Sequence, residues 1–196
     1  METRTHRNIR RNGRMLLAVC LALLAGRAVA APLAGPPPAF EATDAQGQTF
    51  RYPEDLERPT IVLFWATWCP YCKALMPHLQ SILLEFPGQV DLIALSFRDD
   101  GDPTAVIDEY GYLFRSFENA DAVAASWGVK GTPGLFLADA KGHIVFDRRR
   151  IVAENPAAAS AEDAGALKHY QKAARGAPFW AAKLREALDE VLSSTR

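Results

Sequence analysis

The chain has 196 residues, 49% of them hydrophobic and 23% charged, with a formal net charge of −1 at pH 7. That length is ample for one packed core, and the absence of a basic excess speaks against nucleic acid as a partner.

In chain order, Arg4, Arg7, Arg10, Arg11 and Arg14 precede an apolar stretch at residues 15–26, and Ala28-Val29-Ala30 supplies an A-x-A cleavage signal. Residues 1–30 are therefore expected to be a secretory signal peptide, so the protein is expected to be exported. About twelve apolar residues fall short of the ~20 that span a bilayer, so an N-terminal membrane anchor is the lesser reading. Val19 before Cys20 disfavours lipidation, and Arg10-Arg11 is only a faint twin-arginine signal. Removal of this segment takes six of the 22 basic residues and one of the 23 acidic ones, leaving 16 against 22 over 166 residues, a net charge of −6.

Residues 31–38 read as a Pro/Ala-rich tether, and residues 40–52 around Gln46-Gly47 as a β-hairpin. Residues 61–65 form a continuous apolar strand. Leu75, Leu79, Ile82, Leu83 and Phe86 then recur at helical spacing until Pro87-Gly88 stops the helix. A second buried strand at residues 90–97 completes a β-α-β unit, which demands a parallel crossover. Short helices are expected at residues 103–110 and 121–127, with a weak strand at 113–117 between them. Residues 134–137 and 144–146 form a hairpin across Asp139-Ala140-Lys141-Gly142. A final helix carries Trp180, Leu184, Ala187, Leu188 and Val191 on one face. Residues 148–178 show no clean period; some helix is expected within residues 160–174, and Arg148-Arg149-Arg150 reads as a solvated turn rather than a partner-binding patch.

The chemistry is concentrated in Trp68-Cys69-Pro70-Tyr71-Cys72, at the turn between the first core strand and its helix. A thiolate at a helix start meets unpaired N–H groups and the positive end of the dipole, which lower a cysteine pKa from about 8.5 to between about 3.5 and 7.5. Cys69 is the expected nucleophile. Cys72, almost one turn on, is placed to close a disulfide or to resolve an adduct formed on Cys69. With Cys20 removed by export, these are the remaining thiols. A structural zinc site would need four ligands, and His78, His143 and His169 show no paired spacing, so no metal site is expected. Lys73 after Cys72 excludes a haem-attachment motif. A purely structural disulfide over so short a loop would brace little.

The run Phe64-Trp65-Ala66-Thr67-Trp68-Cys69-Pro70-Tyr71-Cys72-Lys73, with Pro77 beyond it and Gly131-Thr132-Pro133 ahead of a strand, resembles the thioredoxin superfamily, and within it the exported TlpA/ResA-like thiol-disulfide oxidoreductases. The resemblance covers residues 38–147 and the last helix. It implies an α/β, thioredoxin-like fold over residues 39–196: a central mixed sheet flanked by helices, an N-terminal β-hairpin, and an insertion at residues 148–178. It also implies Cys69 and Cys72 as a redox-active disulfide supported by Trp68, Pro70, Tyr71, Thr132 and Pro133. The Thr132-Pro133 peptide is expected to be cis, and Pro77 to lie within the active-site helix.

Two departures from that family stand out. Leu63 replaces a buried acid in the strand, and Leu75 a glutamate three residues after the second cysteine. The proton acceptor for Cys72 is then sought in water, Lys73, or the hairpin acids Glu41 and Asp44. The expected activity is reduction of exported protein disulfides without a bound cofactor, with electrons from a membrane thiol donor. The alternatives are a disulfide oxidase or isomerase, or a CxxC module that holds a soft metal.

Overall fold

The computed structural model describes residues 36–151 and 167–194. The expected signal peptide, the first part of the tether and residues 152–166 lie outside the described residues.

Two short strands, β1 (Phe40–Thr43) and β2 (Thr49–Tyr52), pair as an antiparallel hairpin. The core follows: β3 (Thr60–Trp65), α1 (Pro70–Glu85), β4 (Asp91–Ser96), α2 (Pro103–Glu109), β5 (Arg115–Phe117), α3 (Asp121–Ser126), β6 (Gly134–Ala138), β7 (Ile144–Asp147) and α4 (His169–Ser194). The five core strands form one mixed sheet in the order β5-β4-β3-β6-β7, parallel among β3, β4 and β5 and antiparallel at β3-β6 and β6-β7. β3 lies at the centre with all six residues buried, which is why it reads as an unbroken apolar run instead of an alternating one.

Alternation along β3 assigns each residue to a side. Ile61, Leu63 and Trp65 join the cluster under α1 and α4, together with Cys69, Cys72, Leu75, Leu79, Trp180 and Leu184. Val62 and Phe64 face the opposite cluster, built with Phe50, Tyr52, Phe117, Trp127 and Phe136. The hairpin covers this second face: Phe40 stacks on Tyr52 with ring centroids 5.4 Å apart, and Tyr52 meets Trp127 edge-on at 5.0 Å. A register shift in the β6-β7 ladder explains why Val145 and Phe146 both pack towards the cysteine side.

Tyr52 fastens the hairpin to the rest of the molecule. Its ring is fully buried and its hydroxyl donates to the Gly142 carbonyl at 2.7 Å. Gly142 must be glycine, because its φ is +82° and a Cβ there would run into Pro53. Tyr52→Phe leaves that carbonyl without its partner and is expected to cost about 1–2 kcal/mol. The measurement is a urea midpoint that falls at unchanged slope; an unchanged midpoint would remove the bond from the stability of the fold.

The last helix starts earlier than its large apolar residues suggest. It begins at His169 and runs through Gly176 and Pro178. Its buried face upstream of Trp180 is made of Ala173, Gly176 and Ala177, small residues that lie against the core without announcing a period. Pro178 and Ala174 are exposed, so the carbonyl that Pro178 cannot satisfy is on the water side. Residues 169–178 of the aperiodic segment are thus part of the closing helix. The arginine run also departs from a solvated turn. Residues 148–150 form one turn of 3-10 helix directly after β7, with Arg148 half-buried, while Arg149 bonds Asp147 at 2.8 Å and covers the Phe136 ring at 4.7 Å.

Candidate functional site: the Cys69–Cys72 turn

The carboxyl ends of β3 and β4 lie side by side, with Trp65 in register with Ser96, and the loops leaving them build the site. Asp99, just beyond β4, accepts the Thr67 N–H and hydroxyl, both at 2.6 Å. Trp68 is 56% exposed, and its indole N–H donates to the Arg98 carbonyl at 2.9 Å. Gly101 is required beside this latch, since a Cβ there would collide with the Thr67 hydroxyl.

Cys69 is the N-cap of α1, with extended backbone at φ −82° and ψ 108°. Pro70 occupies the first helical turn, where a missing N–H costs nothing. The Cys72 N–H therefore points at the Cys69 sulfur and donates to it at 3.1 Å. Both cysteines are thiols in this structure and both are buried, Cys69 as well as Cys72. The Cys72 thiol donating to Cys69 lowers the Cys69 pKa to about 6 against the opposing effect of burial, aided by the Thr132 hydroxyl and the Cys72 and Tyr71 N–H groups. Burial pushes Cys72 well above the usual thiol value, and the negative charge on Cys69 adds to it. The two thiols are driven apart by environment, which assigns opposite proton states to them near neutral pH.

The other residues singled out in the sequence gather here. Thr132-Pro133 is a cis peptide, and the Thr132 hydroxyl helps lower the pKa of both thiols. A second cis bond, Tyr52-Pro53, lies in the hairpin and was not signalled by the sequence. Tyr71 is half-buried and meets His169, the first residue of α4, with 3.5 Å between the hydroxyl and Nδ1. Pro77 is inside α1, on its exposed side.

Leu63 and Leu75 are both buried in the cluster that holds the cysteines. The hairpin acids do not reach it. Asp44 accepts the Gln46 and Gln48 N–H groups and pairs with Arg115 at 3.0 Å, and these bonds overcome its burial and hold it below the usual carboxylate range. Glu41 is exposed on the same hairpin, which packs on the opposite face of the sheet. Neither is the base for Cys72. Lys73 is exposed, and among the described residues the buried charged side chain is Asp147, which is engaged by Arg149. Among the described residues no group of three His, Cys, Asp or Glu side chains stands together to hold a metal ion, and no helix is long and apolar enough to cross a membrane.

Asp99 is a residue here that the sequence did not single out, and Arg148 reads there only as part of a solvated arginine turn. Asp99 opens a turn-rich Asp-Asp-Gly-Asp-Pro stretch at the end of a parallel strand, a signal that could have marked it. Arg148 donates to the Pro133 carbonyl at 3.0 Å.

Comparison with known proteins agrees with this geometry. A protein named "Probable thiol:disulfide interchange protein DsbE-2" from Pasteurella multocida is 31% identical over 143 residues, spanning 67% of this chain and 74% of that protein. The thiol-disulfide oxidoreductase ResA of Bacillus anthracis is 27% identical over 115 residues, spanning 55% and 64%. Among solved structures, the thioredoxin domain of a thiol-disulfide oxidoreductase from Bacteroides vulgatus superposes with a TM-score of 0.52 at 22% identity, covering 57% of this chain and 84% of that one, which shows a shared fold. The model of the AhpC/TSA family matches residues 34–154, a stretch that includes the hairpin, the five-stranded sheet and both cysteines, and the chain therefore belongs to the AhpC/TSA family of thioredoxin-like proteins.

Proposed function

We propose that the protein is an exported thiol-disulfide oxidoreductase of the cell envelope, in which Cys69 attacks and Cys72 resolves. The observation that carries this reading is the Cys69 sulfur at the start of α1, accepting the Cys72 N–H, with a pKa lowered to about 6. The Cys69 thiolate attacks one sulfur of a substrate disulfide; an S–S bond forms to Cys69 and the other substrate sulfur leaves as a thiolate. Cys72 then loses its proton and attacks the Cys69 sulfur. The Cys69–Cys72 disulfide forms, and the substrate departs having gained two electrons. Return to the dithiol requires a thiol donor, for which a membrane thiol-electron carrier is the proposed class. The relatives named above support the reaction type, and a relative named soluble secreted antigen MPT53 from Mycobacterium tuberculosis, 29% identical over 126 residues, supports export.

The opposite direction, disulfide donation, is favoured by one observation: a low Cys69 pKa stabilises the reduced form and makes a dithiol couple more oxidising. Equilibration with glutathione decides between them. A potential near that of thioredoxin, about −270 mV, supports reduction; one near about −120 mV supports oxidation.

The thiolate has a second measurable consequence. Its folded pKa lies below the value of an unfolded cysteine, so the reduced protein gains stability as pH rises from about 6 to about 8.5 and loses that contribution as pH falls through about 6. The thiolate absorbance near 240 nm of the folded protein should titrate with its midpoint at about pH 6. Both effects should be absent from Cys69→Ser. A parent protein whose reduced form shows no thiolate below pH 8 would overturn the assignment of Cys69.

A further inference from the structure

Arg148 reaches the Thr132-Pro133 turn from the end of β7. Its guanidinium covers the Trp180 ring at 4.5 Å, and Nη1 donates at 3.0 Å to the carbonyl of Pro133, next to Thr132, whose hydroxyl acts on both thiols. Trp180 belongs to the apolar cluster that contains Cys69 and Cys72. Nε is shut off from solvent without a hydrogen-bond partner, and among the described residues no carboxylate pairs with this arginine. Asp147, the adjacent acid, is held by Arg149 at 2.8 Å. A half-buried cation with its Nε shut off from solvent and one neutral carbonyl for a partner is costly unless a negative charge faces it. Burial pushes Arg148 down from its ordinary value, and the charges that push it back up are those of Cys72 and Cys69.

We propose that Arg148 is the counter-charge of the thiolate: a guanidinium held between the Thr132-Pro133 turn and the Trp180 ring that stabilises the reduced form of the site and thereby sets how oxidising the Cys69–Cys72 couple is. The inference rests on the reading of these two cysteines as the redox pair. It also gives Leu63 and Leu75 a physical setting. With leucines at both positions in the cluster that holds the cysteines, no carboxylate there neutralises the positive charge, which acts on the thiolate itself. The remaining ionisable groups around the pair do not compete for this role: Lys73 is exposed, and Tyr71 is engaged with His169 at 3.5 Å at the start of α4.

The sign follows from linkage. A nearby positive charge favours the charged form of a thiol and lowers its pKa; stabilising the thiolate favours the dithiol over the disulfide and raises the potential. The test compares the full protein with Arg148→Met, which keeps an apolar chain over Trp180, and with Arg148→Lys, which keeps the charge. Arg150→Met is the control, since Arg150 is exposed and its ion pair to Asp147 is 3.9 Å long.

Two quantities are read: the thiolate titration near 240 nm, and the equilibrium constant for exchange with glutathione disulfide, in which the protein dithiol becomes a disulfide and two glutathione thiols form. Arg148→Met should raise the Cys69 pKa by about one unit. At pH 7 it should then make the protein about five-fold easier to oxidise, equivalent to about 20 mV in the reducing direction. At pH 5, where Cys69 is protonated in both proteins, the difference should vanish. Arg148→Lys should recover most of the shift, and Arg150→Met should match the parent. If Arg148→Met does not fold, Arg148→Gln replaces it and is read in the same way. Unchanged pKa and equilibrium constant in the charge-removing variant, alone or with lower stability, would overturn the proposal and leave Arg148 a packing residue. A parent that fails to form the Cys69–Cys72 disulfide would instead overturn the reading of the site on which the proposal stands.

Discussion

Cys69→Ser should abolish disulfide exchange, lowering insulin reduction by at least about a thousand-fold, because no other thiol at the helix start can present a thiolate. Cys72→Ser should behave differently. Cys69 retains its N–H donors and the Thr132 hydroxyl, though it loses the Cys72 thiol, the largest contributor to its lowered pKa. It should therefore still attack, more slowly near neutral pH, and the adduct should persist because nothing resolves it. Acid-quenched samples on non-reducing gels should show mixed disulfides with exported proteins for Cys72→Ser and none for Cys69→Ser. Equal adducts for the two variants would mean that the division of labour between the sulfurs is wrong. The burial of Cys69 sharpens the experiment: the residue is 1% exposed, so its reactivity depends on a substrate opening the turn and not on free collision with solvent.

The second large effect concerns the missing acid. Cys72 is fully buried and its pKa is well above the ordinary value, so the step in which it becomes a nucleophile should limit turnover. Leu75 follows Cys72 by three residues on the same face of α1 and is itself buried. Leu75→Glu should set a carboxyl one turn from the resolving thiol, with its own pKa raised towards neutrality by the apolar surroundings, where a general base works best. Stopped-flow decay of the mixed disulfide at pH 7 should accelerate at least about ten-fold. The same substitution gives up a packed leucine and buries a polar group, at a cost of about 2–5 kcal/mol, seen as a melting temperature lower by about 5–15 °C. A resolution rate that is already fast in the parent and unchanged in Leu75→Glu would show that another acceptor serves Cys72. Glu41 and Asp44 are not that acceptor, because the hairpin that carries them packs against Phe117 and Trp127 on the far side of the sheet. Water, admitted when substrate opens the turn, is then the remaining source.

The sequence by itself determined whatever depends on residues a few positions apart. The thiol pair at a strand-to-helix turn follows from an apolar run, a proline suited to the first turn and two cysteines spaced by less than a helical turn. The β-α-β unit and the hairpin across residues 139–142 follow from period and turn chemistry in the same way. The tertiary structure alone decided which distant groups surround the sulfurs. Asp99 reaches Thr67 because parallel strands bring their carboxyl ends together, and Arg148 reaches Pro133 because β7 runs antiparallel to β6 and delivers its last turn to the start of that strand. Nothing in a run of three arginines distinguishes the one that packs over a tryptophan from its two exposed neighbours. The beginning of α4 was hidden for a related reason. Its buried face there is alanine and glycine, whose contribution is close approach to the core and not bulk, and bulk is what a hydrophobic period registers.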